Sequence, residues 1–231
     1  MTVKISVITM FPEFFDSPLE VSLVGRARAA GVAEVEVIAL RPFGLGRHKK
    51  LDGAPFGGGA GLVMRVEPLA AALAPVAASH KVLLSAAGHR LTQATLDRWA
   101  VLDHLTLVCG RYEGVDERAA EHLMDEEVSL GDYVLLGGEV GALAVIEGVV
   151  RLLPGVVGNP ESVINESFRD GLVEEPVYTR PAEYQGWKVP AVLLSGDHER
   201  VEEWRSKQRE RRTRERRPDL WRELAIGDEP E

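Results

Sequence analysis

The sequence predicts an α/β protein: a mostly parallel sheet with helices on both faces, followed by a small helical unit. Three observations predict it. Short apolar runs alternate with stretches of helical period over about the first 150 residues. Glycine clusters close several of those runs, as turns at strand ends require. After Leu153 the alternation gives way to proline-bearing segments and then to a long, highly charged helical pattern.

In chain order, "VKISVITM" reads as a strand, and Pro18 to Ala30 as a helix stopped by Gly31. "EVEVIAL" is the second strand and "VEPLAAALAPV" the second helix. "KVLLSAAG", a helix after Leu91, and "LTLVCG" continue the rhythm. "DYVLLGG" reads as a further strand running into the helix "EVGALAVIEGVVRLL". "PGVVGNPESVINESF" has no clean period and reads as a linker. A last helix, capped by Ser195 or Asp197, runs through "ERVEEWRSKQRERR". The implied boundaries are 1–160 for the α/β domain, 161–175 for a linker and 176–231 for a small helical domain.

A chain of 231 residues can bury a substantial core, and 45% apolar with 27% charged residues is ordinary for a globular protein. No apolar run is long enough to span a membrane. The opening "MTVKISVITMFPEFF" lacks the basic start and small-residue site of a signal peptide and reads as the first strand. The single cysteine, Cys109, sits in an apolar strand as a core residue, which fits a reducing, cytoplasmic setting. Net charge is −9 but unevenly spread. Gly110–Val140 holds nine acidic and two basic residues, and Trp204–Arg217 eight basic and two acidic.

Four glycine clusters stand out: "GGGAG" at 57–61, "SAAG" at 85–88, "GRYEG" at 110–114 and "GDYVLLGGEVG" at 131–141. Three stand at or beside the ends of expected parallel strands, where open α/β sheets place ligands. Dinucleotide and Walker phosphate loops are missing, as are zinc spacings and the nucleophile elbow of α/β-hydrolases. An acidic flank of Glu113, Asp116, Asp132 and Glu139 favours a cationic ligand over a phosphate. S-adenosylmethionine, with a sulfonium, an ammonium and no phosphate, has that chemistry. The segment Trp204–Trp221 is dense in arginine. Glu203 with Lys207 and Glu210 with Arg214 have i,i+4 spacing, which leaves six of its eight cations for a phosphate backbone. A solvated helix face is the plain alternative.

The motifs "LDGAPFGGGAGLVM", "GRYEGVDER", "SLGDYVLLGGE", "YTRP" and "LLSGDH…WRSKQ…RT…RRPDL" resemble the bacterial tRNA (guanine-N1)-methyltransferase family of the SPOUT superfamily. The resemblance runs from Met1 to about Leu220 with the motifs in order. It implies a C-terminal trefoil knot in the sheet domain, a homodimer with the active site between subunits, and methyl transfer from S-adenosylmethionine to N1 of guanine at tRNA position 37. The knot loops would hold the cofactor through Ser85, Ala86 and Gly88, through Gly110, Tyr112 and Glu113, and through Leu130, Gly131, Tyr133, Leu135, Gly137 and Gly138. Arg47, His48 and Asp52 would serve the tRNA and target-base site. Arg211, Arg212 and Arg216 on the C-terminal helix would grip the anticodon stem.

By the same resemblance, Arg151 would stabilise charge on guanine O6, and Glu166 would be the base that takes the N1 proton. Two positions depart from the family pattern. Glu166 replaces the usual aspartate, with Asp170 as the alternative carboxylate, and Ala86-Ala87 replaces the usual Pro-Gln. The family activity also implies Mg2+, for which no site can be read. Three other readings remain: a knotted methyltransferase for another RNA base, an RNA-binding homologue that has lost activity through the glutamate, and a nucleotide-dependent oxidoreductase. The "RT…RRPDL" segment opposes the first of these, and the missing dinucleotide fingerprint the last.

Overall fold

The computed structural model of the protein describes residues 2–227. The chain divides into two compact units, Met1–Gly158 and Asn159–Glu231.

In the first unit, β1 (Val3–Thr9), α1 (Ser22–Ala29) and β2 (Ala33–Ala39) are followed by a minimal hairpin of β3 (Asp52–Gly53) and β4 (Val63–Met64). Then come α2 (Val66–Leu73), β5 (His80–Arg90), α3 (Gln93–Ala100), β6 (His104–Cys109), α4 (Glu117–Leu123), β7 (Glu126–Ser129) and α5 (Glu139–Leu152). The five long strands form one sheet in the order β2-β1-β6-β5-β7, and every pairing is parallel. Parallel neighbours need crossovers, which here are largely helical.

The period-two alternation divides two apolar layers. Val3, Ile5 and Val7 of β1 pack with Leu105, Leu107 and Cys109 of β6 against α1, α3 and α5. Ile8, Leu83 and Val108 point the other way, against α2 and α4. This is the helix-on-both-faces architecture the alternation predicts.

The structure corrects two readings of this unit and adds one element. No strand forms at 132–138; Leu130–Gly138 is a loop and the strand is β7, just before it. β7 is an edge strand whose Glu126 accepts hydrogen bonds from Arg98, Trp99 and His80. Its acids hide the strand pattern, while the apolar Val134 and Leu136 that suggested one are 88% and 90% exposed. The first helix begins at Ser22 rather than Pro18. Helix α4, capped by the Asp116 carboxylate on Arg118 N–H, was not foreseen.

Residues 161–175, expected as a linker, fold inside the second unit. Helix α6 (Glu161–Ile164) leads to a segment fastened on α7 (His198–Arg216), where Val173 N–H donates to the buried Thr213 hydroxyl at 2.9 Å. Between them lies the hairpin of β8 (Glu183–Tyr184) and β9 (Trp187–Lys188). Asp197, not Ser195, caps α7, accepting from Arg200 N–H at 3.2 Å. Helix α8 (Pro218–Gly227) follows, with proline at its first position, where the missing N–H costs nothing. The Glu203–Lys207 pair forms, but Glu210 and Arg214 do not pair; the Arg214 guanidinium lies 5.9 Å from the Trp221 ring centroid instead.

Candidate functional site

The irregular second half of β5 and the turns that follow β6 and β7 enclose a cleft of about 410 Å³, the size of a small-molecule site. The first of these, residues 85–88, was expected as a loop but stays extended within β5, as an irregularity where the register of its pairing with β7 shifts between Leu84 and His89. Ser85 Oγ accepts from Ala87 N–H there at 3.1 Å. The second turn follows Gly110, whose carbonyl accepts from Gly138 N–H at 3.0 Å. Tyr112 within it adopts a left-handed φ of 62°. The third turn, Leu130–Gly138, is started by Ser129, whose hydroxyl bonds both the carbonyl and the N–H of Gly131 at 3.0 and 3.2 Å.

The cofactor residues expected from sequence converge here: Ser85, Ala86, Gly110, Tyr112, Glu113, Leu130, Gly131, Tyr133, Leu135, Gly137 and Gly138 all line the cleft. Gly88 does not. A Cβ there would fall on Val128 N, so its glycine serves the approach of β5 to β7.

The acidic lining is real but differently composed. Glu113 contributes, and Glu117 and Glu127 join it, with Arg111 as the one basic lining residue among the described residues. Asp116 instead pairs with Arg118 at 2.7 Å, and this hydrogen-bonded partner holds its carboxyl below the usual range. Asp132 pairs with Arg90 at 2.7 Å. Glu139 is buried, accepting from the Thr9 hydroxyl at 2.8 Å and from Arg111 Nε at 2.9 Å. Sequence reasoning missed Arg111, Glu117 and Glu127 as lining residues. Burial, reinforced by the neighbouring Glu139 charge, pushes the Cys109 thiol well up, so it packs as a neutral group.

A second wall is laced to the middle turn. Glu113 N–H donates to Leu62 O at 3.0 Å, Met64 N–H to Gly114 O at 2.9 Å, and Asp116 N–H to Met64 O at 2.9 Å. Burial first, and then the nearby Asp52 carboxylate on β3, raise the Tyr112 phenol. Arg47 and His48 sit on an exposed turn closed by reciprocal Leu45–Lys50 hydrogen bonds of 2.8 and 3.0 Å.

Arg151 stands in the last turn of α5, in the first unit. Glu166 belongs to the second unit, is 8% exposed, and has Oε1 3.4 Å from Arg169 Nη2. Asp170 receives both carboxylate contacts from Arg209, at 2.6 and 2.7 Å. On α7, Arg211 donates to Gln208 at 2.6 Å, while Arg212 Nε is buried without a hydrogen-bond partner. Among the described residues Arg211, Arg212, Arg214 and Arg216 join no ion pair, which leaves four of the eight cations between Trp204 and Arg217 uncommitted to an acid rather than six. Among the described residues no group of three or more His, Cys, Asp or Glu could hold a metal ion, and no helix is long and apolar enough to cross a membrane.

The sequence matches a family model described as tRNA (Guanine-1)-methyltransferase TrmD over residues 3–223. It is 52% identical over 221 residues to a tRNA (guanine-N(1)-)-methyltransferase of Gloeobacter violaceus, covering 94% of this chain and 97% of that protein. It is likewise 52% identical to the protein of that name from Micrococcus luteus, again covering 94% and 97%. To the one from an Arthrobacter species it is 49% identical over 240 residues, covering 98% and 87%.

Proposed function

The chain belongs to the tRNA (guanine-1)-methyltransferase TrmD family, and on that premise we propose that it methylates N1 of the guanine at tRNA position 37 with S-adenosylmethionine. The observation that carries the proposal is the cleft: backbone turns at parallel strand ends, with Glu113, Glu117 and Glu127 facing it beside a single Arg111. That lining suits a ligand bearing a sulfonium and an ammonium and no phosphate. Leu83, Leu84, Val115 and Leu130 offer apolar surface for an adenine ring, and the backbone of the irregular 85–88 stretch and of the 110–114 turn offers hydrogen bonds to its edge. When bound, S-adenosylmethionine supplies an electrophilic methyl group and leaves as S-adenosylhomocysteine.

Guanine N1 carries a proton at neutral pH and becomes a nucleophile only as that proton leaves. Glu166 is the proposed base, acting from about 2.6–3.2 Å, and Asp170 is the alternative carboxylate. Each is held by an arginine in the second unit, so base action begins with release from that pair. Arg151 meets the charge that builds on O6, where a planar guanidinium is well suited. Arg47, His48 and Asp52 serve the target-base site, and the unpaired cations Arg211, Arg212 and Arg216 the anticodon stem. The described residues offer no cluster for Mg2+, and no step is assigned to it.

Three further parts belong to the proposal. A trefoil knot is supported by the third turn crossing onto the β6 end, through the Gly138–Gly110 hydrogen bond and the Arg111–Gly137 bridge. A homodimer completing the site is supported by the exposed apolar run Tyr133–Leu136 with Val140. A cytoplasmic location is supported by the lone buried thiol. Nucleoside analysis of a treated tRNA transcript tests the proposal. 1-Methylguanosine is expected, and methylation on any other guanine atom overturns it.

A further inference from the structure

Arg111 is held from three sides. Its Nε and Nη2 each lie 2.9 Å from Glu139 Oε2, Nη1 donates to Leu136 O at 3.3 Å, and the guanidinium lies 4.5 Å from the Phe11 ring centroid. Glu139 is 1% exposed, and its other oxygen accepts from the Thr9 hydroxyl. One side chain therefore ties together the end of β1, the middle turn, the third turn and the start of α5. Backbone pairing runs beside it, since Arg111 and Gly137 form an isolated antiparallel bridge. The Arg111 side chain lies flat on that glycine: a Cβ at position 137 would fall on its Nε and Cδ.

Beyond the Ser129–Gly131 and Gly138–Gly110 hydrogen bonds at its two ends and the exposed Asp132–Arg90 pair, apolar packing adds little to fix the crest of the third turn. Val134 and Leu136 at its crest are almost fully exposed, so they bury no apolar surface against the sheet. We propose that Arg111 is a positioning residue for the cofactor, bracing the Leu130–Gly138 turn against the Gly110–Gly114 turn so that the cleft is preformed. This rests on the reading of the cleft as the S-adenosylmethionine site. Arginine is required because its planar fork reaches a carboxylate and a carbonyl at once, whereas the three donors of a lysine ammonium radiate from one point.

The test compares the unsubstituted protein with Arg111→Lys, Gly137→Ala, the double variant and a control, Ser79→Ala. Ser79 is buried and bonds Thr106 at 2.6 Å and Val76 O at 2.7 Å, but it does not line the cleft. S-adenosylmethionine affinity is read by calorimetry, turnover at saturating cofactor by methyl transfer, and backbone opening by hydrogen exchange without ligand. Arg111→Lys should weaken cofactor binding about tenfold or more, the loss of one charge-assisted hydrogen bond. Turnover at saturation should stay within about twofold, and amides of 130–138 should exchange faster while those of 85–88 do not. Gly137→Ala should match it, with the double variant little worse than either, because both disturb one contact. Ser79→Ala should lower Tm and leave affinity unchanged.

Normal affinity and exchange in Arg111→Lys overturn the inference, as does an equal loss of affinity in Ser79→Ala. If the unsubstituted protein fails to bind S-adenosylmethionine, the cofactor reading falls and this inference with it. Binding that is intact and indifferent to Arg111→Lys overturns the inference alone.

Discussion

Glu166 carries the proposed chemistry, so its substitution is the sharpest residue-level prediction. Glu166→Gln should lower kcat by about 10²- to 10⁴-fold, the usual worth of a positioned base, with cofactor affinity unchanged by calorimetry. Near-normal turnover would pass the role to Asp170, which Asp170→Asn then tests. A second prediction concerns Glu126, held down to about 2 chiefly by its hydrogen bonds from Arg98, with burial opposing and Trp99 and His80 adding to the effect. Its folded value lies below its unfolded one. The stabilisation is therefore complete above the unfolded pKa of about 4.3 and fades as pH falls from there through about 2. Allowing for solvent screening at the half-exposed Arg98, Glu126→Gln should cost on the order of 2 kcal/mol at pH 7 and little near pH 2, read by chemical denaturation. Residues at this scale were unevenly legible. Tyr112, Glu113 and Gly137 adjoin glycine turns that mark themselves, whereas Arg111 and Glu139 are 28 positions apart, and Thr9 and Glu139 130, so no local pattern announces their pairing.

Elements were legible where period and caps agreed. β1, β2, β5 and β6 follow apolar runs, and α5 its helical apolar face. β7 was not, because an acidic four-residue edge strand lacks the alternation of a half-buried one. The apolar run after it imitates a strand while holding Val134 and Leu136 toward solvent. α4 is seven residues long, too short to display a period, although Asp116 ahead of Glu117 is a cap signal that could have found it. Two substitutions test these assignments. Asp197→Ala should destabilise α7 by about 1 kcal/mol through its lost cap, seen as a lower denaturation midpoint. Gly88→Ala should disturb the β5–β7 ladder, because its Cβ meets backbone that cannot yield, and amide exchange in β7 should rise with it.

Over the whole molecule the net charge of −9 conceals two polarities, an acidic cleft in the first unit and an arginine-rich α7 in the second. The acidic cleft was read correctly in sign but not in membership, since Asp116, Asp132 and Glu139 are spent on Arg118, Arg90 and Arg111. Replacing Arg211, Arg212 and Arg216 together should weaken tRNA binding and flatten its salt dependence by about two to three phosphate contacts. An unchanged slope would make α7 a solvated helix only. The proposed knot and dimer rest on resemblance, because periodicity reports neither threading nor a partner surface. The most direct measurement is transfer of labelled methyl from S-adenosylmethionine to an unmodified tRNA transcript with guanine at position 37, beside one with adenine there. Label in the first and none in the second is the predicted result. Equal label in both, or none in either while the tRNA still binds, would contradict the account.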